Sequence, residues 1–508
     1  MLNFINKYNH FLLFLVIFFF LCASAFSQEE PQDNSVYFIN SFKFNIKGMT
    51  RSDALKRKGG LKTGEEFTGL SELEKYIQDK TQLLYNERVL DSVSIDYTIG
   101  DPRDDGKFPV DVVINTKDTW NIVAIPRPRY SSNTGFDITL KARDYNFLGS
   151  MSPLRIDLGY SHDENKENSF FFMFDSNMPF TAYGLNWNIK FYNDFFYRPD
   201  VEQPVYYGNT TGLSFELPVS FTTITFGLNE SFILNDENDD IYKPEYGNFQ
   251  DGFYMSTNPY ISWKIPIGID AGNYGEIILT PGVSAAFPHE FHKWPLDDIR
   301  KGPSLTFSQN LGFNRIDWIG NFRKGLDISV NNSFDYNFFR ANNDKNTWTD
   351  KIIFSGIGHF KFTDFFGAST NLMYRQWIFY DYGYTKAGDA LRGVIDRDIN
   401  ADFMLSLNLD LSFKILKFLP SVWFNRSKLR ILNFELFLAP FVDTALYHDP
   451  ENKTDFNIKN TVVTGGLETI IFPEFFRSLF LRISLGWNIK NKPNNENMEI
   501  YIGTDFFY

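Results

Sequence analysis

The chain has 508 residues and a formal charge of −13, with 43% hydrophobic residues and a mean hydropathy of −0.27. That combination excludes a bundle of apolar membrane helices, and the acidic balance lacks the basic footprint of a nucleic-acid binder. Aromatics reach 18%, with 56 Phe and 26 Tyr. Rings at two interfaces plus apolar residues at every second strand position would give this composition without raising mean hydropathy.

The first 27 residues read as a secretory signal. Lys7 is the positive charge, Phe11 to Leu21 is an unbroken apolar run, and Ala25-Phe26-Ser27 before Gln28 is a small-x-small cleavage site. The run is too short for a membrane span. Lipidation at Cys22, the lone cysteine, is the alternative, although Leu21 before it is bulkier than a lipobox normally takes. Cleavage after Ser27 would leave no thiol and no disulfide. Later membrane contact must then be made by strands.

Residues 36–118 read as a small α+β module. A strand over Phe42–Gly48 precedes a charged helix from about Arg51, the turn Lys62-Thr63-Gly64, a helix over about Ser71–Tyr85, and strands near Ser92–Ile99 and Val110–Asn115. Leu73, Tyr76, Ile77, Thr81 and Leu84 fall at helical spacing and supply one apolar face.

Residues 120–508 repeat a different pattern. Leu154, Ile156, Leu158 and Tyr160 alternate with Arg155, Asp157 and Gly159, and the runs beginning at Leu185, Phe403 and Leu481 behave alike. Strand side chains alternate sides, so each run has a greasy face and a wet, charged one. In a soluble sandwich the charges would be buried unpaired, whereas a hydrated barrel lumen accepts them. Polar loops such as 236–252, 161–169 and 341–350 contrast with tight turns expected at Asn177-Met178-Pro179 and Leu217-Pro218. The expected fold is therefore mainly β: a transmembrane antiparallel β-barrel of roughly 16 strands, at about 10 residues per strand plus its connection, preceded by the small module. Pro126 and Pro128 in the first strand each remove one ladder donor, as edges tolerate. The last strand, Met498–Tyr508, places Phe506 and Tyr508 on its apolar face, the arrangement of a barrel-closing strand with an interfacial aromatic.

Other chemistry is sparse. His289 and His292 in Pro288-His289-Glu290-Phe291-His292 lack a third ligand and read as polar loop or interface residues, so no metal is expected. No Gly-x-Ser-x-Gly elbow and no phosphate-cradling glycine loop occurs. No cofactor and no catalytic residue is assigned.

A β-α-α-β-β module followed by a barrel resembles the BamA/TamA superfamily of outer-membrane insertases and two-partner secretion transporters, whose module is called a POTRA domain. Phe44-Asn45-Ile46-Lys47-Gly48-Met49-Thr50 is similar to its opening strand, and Asn86–Ile99 to its second-helix-to-strand passage. Asp144-Tyr145-Asn146-Phe147-Leu148-Gly149 resembles an element early in the family's barrel. Leu391-Arg392-Gly393-Val394 resembles the arginine-glycine motif on a loop that folds into the lumen, and Phe441-Val442-Asp443 the wall motif facing it. Val394 and Ala445 depart from the usual aromatic and glycine, and only one POTRA-like module fits before the barrel.

The resemblance implies a bacterial outer-membrane protein with its N-terminal module in the periplasm. It implies a non-enzymatic assembly or translocation factor acting on extended outer-membrane or secreted protein clients in contact with outer-membrane lipid. Accessory lipoproteins on the module stay open. Arg392, Gly393, Phe441 and Asp443 would form a loop-to-wall lock, and the first and last strands a seam that opens. A passive pore or surface-antigen barrel and an outer-membrane lipid hydrolase are the alternatives.

Overall fold

The computed structural model describes residues 35–131, 135–162, 168–199, 204–234, 252–270, 275–292, 302–338, 348–378, 385–386, 390–394, 400–449, 456–489, 498–503 and 508. The expected leader, Cys22 and Phe506 lie outside them, as do most residues of the long polar loops at 163–167, 235–251 and 341–347.

The module runs β1 (Val36–Lys47), α1 (Ser52–Gly59), β2 (Glu66–Thr68), α2 (Leu70–Asn86), β3 (Leu90–Ile99) and β4 (Phe108–Asp118). Its sheet order is β2-β1-β4-β3, with β1 and β4 parallel and the other pairs antiparallel. The short β2 has no counterpart in the sequence reading; three residues are too few to show alternation. Helix α1 stops where Gly60 turns left-handed at φ 59°, and the N–H groups of Gly60 and Leu61 close on Arg57 and Lys56 carbonyls. Leu73, Ile77 and Leu84 of α2 are buried against Ile39, Leu55, Val110 and Ile114. Each such side chain contributes roughly 2 kcal/mol by leaving water.

Among the described residues, eighteen antiparallel strands then form one closed barrel. In chain order they are β5 (Ile122–Ser131), β6 (Gly135–Asp144), β7 (Leu154–His162), β8 (Asn168–Ala182), β9 (Leu185–Tyr197), β10 (Val205–Val219), β11 (Thr222–Leu234), β12 (Phe253–Asp270) and β13 (Glu276–His292). After these come β14 (Ser304–Ile319), β15 (Phe322–Asn337), β16 (Trp348–Lys361), β17 (Phe366–Ile378), β20 (Phe403–Phe418), β21 (Phe434–His448), β22 (Val462–Pro473), β23 (Leu481–Asn488) and β24 (Met498–Gly503). The intervening β18 (Thr385–Lys386) and β19 (Asn400–Ala401) pair only with each other, inside the long connection from β17 to β20. Strand β24 lies beside β5 and closes the ring.

The expected count of 16 is too low. Three hairpins spend only two residues on their connection: Tyr183-Gly184, Ser220-Phe221 and Gly320-Asn321. Tyr183, Gly184, Ser220 and Gly320 have positive φ, as two-residue hairpins that follow the strand twist require. Those short turns leave chain for one more hairpin than the length suggests. The expected turns at Asn177–Pro179 and Leu217-Pro218 are also misplaced, since both lie inside strands, β8 and β10. Proline marked the end of the hairpin correctly to within a few residues but was read as the turn itself.

Alternation sorts the wall. Leu158, Leu213, Leu228, Ile261, Leu409, Leu411, Val442 and Leu485 are exposed on the outside, whereas Ser406, Asn408, Asp410, Asp443, Glu468, Arg482 and Ser484 are buried inside. A continuous apolar outer face with charge enclosed within it inverts the order of a water-soluble protein.

The module is fastened to one mouth of the barrel. The link from β6 to β7 forms the first clamp: buried Asn146 donates to Thr50 Oγ1 at 2.8 Å and accepts from Met151 N at 2.9 Å. Asp118 gathers the N–H groups of Met49 and Thr50 at 2.7 and 3.0 Å. Gly149 (φ 71°) sits so close that a Cβ there would lie 2.0 Å from the Met49 carbonyl oxygen.

The end of α2 makes the second clamp. Asn86 accepts from Trp318 N at 2.9 Å and donates to Asp317 at 2.8 Å, and Asp79 pairs with Arg315 at 2.8 Å. Arg88 lies 4.1 Å over the Trp318 ring and donates to Asn321 at 3.1 Å and to the Arg477 carbonyl. Burial first, and then the charge of Arg477, lower its pKa to about 9. Asp91 receives Lys117 at 2.7 Å and Arg430 at 2.9 Å. Burial raises the Asp91 carboxyl, but those two hydrogen bonds and their charges outweigh it and hold the group below the usual carboxylate range.

Candidate functional site in the barrel lumen

The connection between β17 and β20 turns into the lumen and brings Leu391-Arg392-Gly393-Val394 against the wall. Strand register explains where it lands. Asp410 of β20, Phe441 of β21, Gly466 of β22, Gly486 of β23 and Glu499 of β24 are successive cross-strand partners, so they form one row over five strands. Asp443, two residues beyond Phe441, shares its inward face.

Arg392 is the centre. Its Nε and Nη2 grip the two carboxylate oxygens of Asp443 at 2.9 and 2.6 Å, and its backbone N–H also donates to Asp443 at 2.9 Å. Nη1 reaches Asp410 at 2.6 Å and Glu468 at 3.2 Å. Glu468 is shared with Arg482 at 3.0 Å. The guanidinium lies 3.8 Å over the Phe441 ring. A planar fork on a carboxylate with an aromatic face beneath it uses features that lysine lacks.

The glycines make room for this fit. Gly393 has φ 78°, and a Cβ on it would meet Trp487 N at 2.4 Å. Its N–H donates to Glu499 at 2.8 Å. Gly466 and Gly486 leave a bare trough filled by the Phe441 ring, which would lie 2.5 and 2.9 Å from a Cβ at either position. Ala390, Leu391, Ala401, Met404 and Ala445 pack into a small buried apolar cluster with Val394 against it. Ala445, which departs from the expected glycine, is one of its members, and Asn408 ties down the Ala390 carbonyl at 2.9 Å.

Tyr508 is the main departure from the alternation. Its position on the apolar face of the last strand implied an outward ring; instead its hydroxyl donates to Asp410, and its ring stacks on His359 and lies 5.9 Å from Arg392. Arg323 of β15 donates to its carbonyl oxygen at 2.7 Å. A phenol beside a buried, already-paired carboxylate gains a charge-assisted hydrogen bond that the apolar outer face cannot offer. Tyr508, which follows β24, is thus held among inner-face groups of β15, β16 and β20. Nearer the module, Phe322, Phe437, Phe472 and Phe480 pack into one cluster that joins β15 to β21 and β22.

Pro126 and Pro128 are both in β5, opposite Leu140 and Ile138 of β6. On the other side of β5, Arg127 Nε donates to the Ile502 carbonyl at 2.6 Å and its guanidinium covers Tyr501 at 4.8 Å. A side chain thus supplies a donor at the seam. His289 and His292, read from the sequence as loop residues, belong to the end of β13: His289 lies 3.0 Å from Thr257 and 3.2 Å from Glu230, while His292 stacks on Phe253.

Asp410, Glu468, Arg482 and Glu499 were not singled out as site residues from the sequence. Their signal was a charge at an inward position of an otherwise apolar strand, but which inward charges meet depends on register between distant strands.

No family model and no curated protein matches the chain. Among solved structures it is similar to CdiB from Acinetobacter baumannii, with 13% identity, coverage of 92% of this chain and 73% of that one, and a TM-score of 0.47. CdiB from Escherichia coli shows 10% identity over 94% of this chain and 91% of that one, with a TM-score of 0.41. BamA from Haemophilus ducreyi lacking POTRA domains 1-3 shows 13% identity over 92% of this chain and 83% of that one, with a TM-score of 0.36.

Proposed function

We propose that this chain is an outer-membrane protein insertion or translocation factor of the BamA/TamA kind. Residues 1–27 direct export, 36–118 form a periplasmic POTRA-like module, and 120–508 form the membrane barrel. The observation that carries the reading is the Arg392–Asp443 lock, in which a loop is folded into the lumen and fastened across the last five strands up to the closing seam. A lipid hydrolase has no use for such a device.

The module captures extended protein clients by strand addition at an edge of its sheet, a backbone-driven and sequence-tolerant mode. The seam between β5 and β24 is where clients leave the barrel. Pro126 and Pro128 leave β5 two backbone donors short, which weakens the ladders of this strand and lowers the cost of parting it from a neighbour. No enzymatic step is required.

Depletion of the protein followed by an inventory of outer-membrane proteins tests the reading. Loss of a set of barrel or surface proteins, restored by the wild-type chain and not by Arg392→Ala, is the expected result. An unchanged inventory would favour a barrel without transport activity.

A further inference from the structure

The connection 419–433, between β20 and β21, is not used by the lumen site. It comprises α3 (Pro420–Trp423) and a 3-10 turn over Ser427–Leu432. It is firmly built: buried Asn433 donates to Ser421 Oγ and Glu474 at 2.7 Å each, and Arg430 pairs with Asp91 at 2.9 Å and Glu474 at 3.1 Å. The Asp91 contact places it on the module side of the barrel. Yet Val422, Trp423, Phe424, Ile431 and Leu432 stand 53–66% exposed.

That exposed surface continues the outer wall. Trp423 packs edge-on against Phe418 at 4.9 Å, and Phe418 packs at a tilt against its cross-strand partner Phe434 at 5.1 Å. Both follow on from the outward positions of β20, where Leu409, Leu411 and Leu416 are exposed. The neighbouring turn between β16 and β17 adds Phe362 and Phe365, each 60% exposed. Arg426 and Lys428 are exposed among these apolar groups, and 419–433 contains no acidic residue. Rings and branched aliphatics interleaved with cations suit the boundary between acyl chains and anionic headgroups.

We propose that 419–433 is an interfacial anchor seated in the phospholipid leaflet on the module side. Trp423, Phe424, Ile431 and Leu432 enter the headgroup–acyl boundary, and Arg426 and Lys428 bind lipid phosphates. The inference rests on the reading that the barrel spans a membrane. Through Arg430 the anchor also holds Asp91 of the module, which fixes the module's height relative to the bilayer.

The test uses the full chain carrying Cys22→Ser and one environment-sensitive dye, attached at Trp423→Cys, Leu409→Cys or Asp104→Cys. Each is reconstituted in phosphatidylethanolamine–phosphatidylglycerol vesicles containing spin-labelled lipid. Asp104, on the exposed β3–β4 loop, is the aqueous reference, and Leu409 on the outer wall reports membrane insertion itself. The expected result is blue-shifted, lipid-quenched emission at both 409 and 423, with the 423 site quenched more by the headgroup label than by the deep acyl label. Adding Arg426→Glu and Lys428→Glu should shift the 423 emission back toward the aqueous reference. Emission at 423 that matches position 104 while 409 remains quenched overturns the anchor alone; water-like emission at 409 overturns the membrane reading beneath it. No response to the two charge reversals overturns the phosphate contact.

Discussion

Arg392 is buried among three carboxylates and the rings of Phe441 and Tyr508, so what its removal leaves behind decides the outcome. In Arg392→Ala, Asp443 keeps its desolvation and loses its bidentate partner, and breaking such a buried pair costs about 3–5 kcal/mol. The lumen loop should detach, seen as new protease cleavage within 379–402 in an otherwise folded barrel. Arg392→Lys should rescue only part of the docking, because an ammonium cannot span both oxygens of Asp443. Gly393→Ala should resemble Arg392→Ala despite adding one methyl group, since that methyl meets the β23 backbone and φ 78° disfavours it. The arginine, the glycine and the aspartate were legible as a motif. Asp410, Glu468 and Tyr508 were not, because their meeting depends on chords across a barrel whose register one sequence does not specify. Alternation placed the Tyr508 ring outside, and the hydrogen bond to Asp410 outweighed that pattern.

Helix α2 and the rim turns show what positions the module. Its apolar face was readable from 3.6-residue spacing, but its polar C-terminal end, Asn86 and Arg88, gave no sign of the barrel contacts it makes. Those contacts join residues more than 200 positions apart. Asp91 makes the docking pH-dependent. Its carboxyl is depressed in the folded state, so its contribution is complete above the ordinary carboxylate pKa and is lost as pH falls through the lower, folded value. Hydrogen exchange of α2 and β3 should therefore accelerate in acid below the ordinary carboxylate range, and Asp91→Asn should remove that pH dependence. Strand β5 carries the complementary prediction. Replacing Pro126 and Pro128 with valine restores two ladder donors, which should raise the temperature at which the barrel unfolds in detergent and lower the rate of client insertion.

At the scale of the molecule, the ring of strands is complete, the lumen loop and Tyr508 are fastened to its inner face, and the module is clamped to one mouth. The barrel class, the module and the outward apolar face were legible because each rests on a local period. The strand count was not, because hairpins of two residues are shorter than the average connection that a length estimate assumes. In the proposed gating β5 and β24 part, and with them Arg127 from Ile502. The most direct test is a reversible staple across that seam: Arg127→Cys with Tyr501→Cys in a Cys22→Ser background, used to complement depletion. The oxidised chain should fail to restore the outer-membrane protein inventory and should recover on reduction. Full restoration by the oxidised, demonstrably cross-linked chain would contradict a function carried by lateral opening.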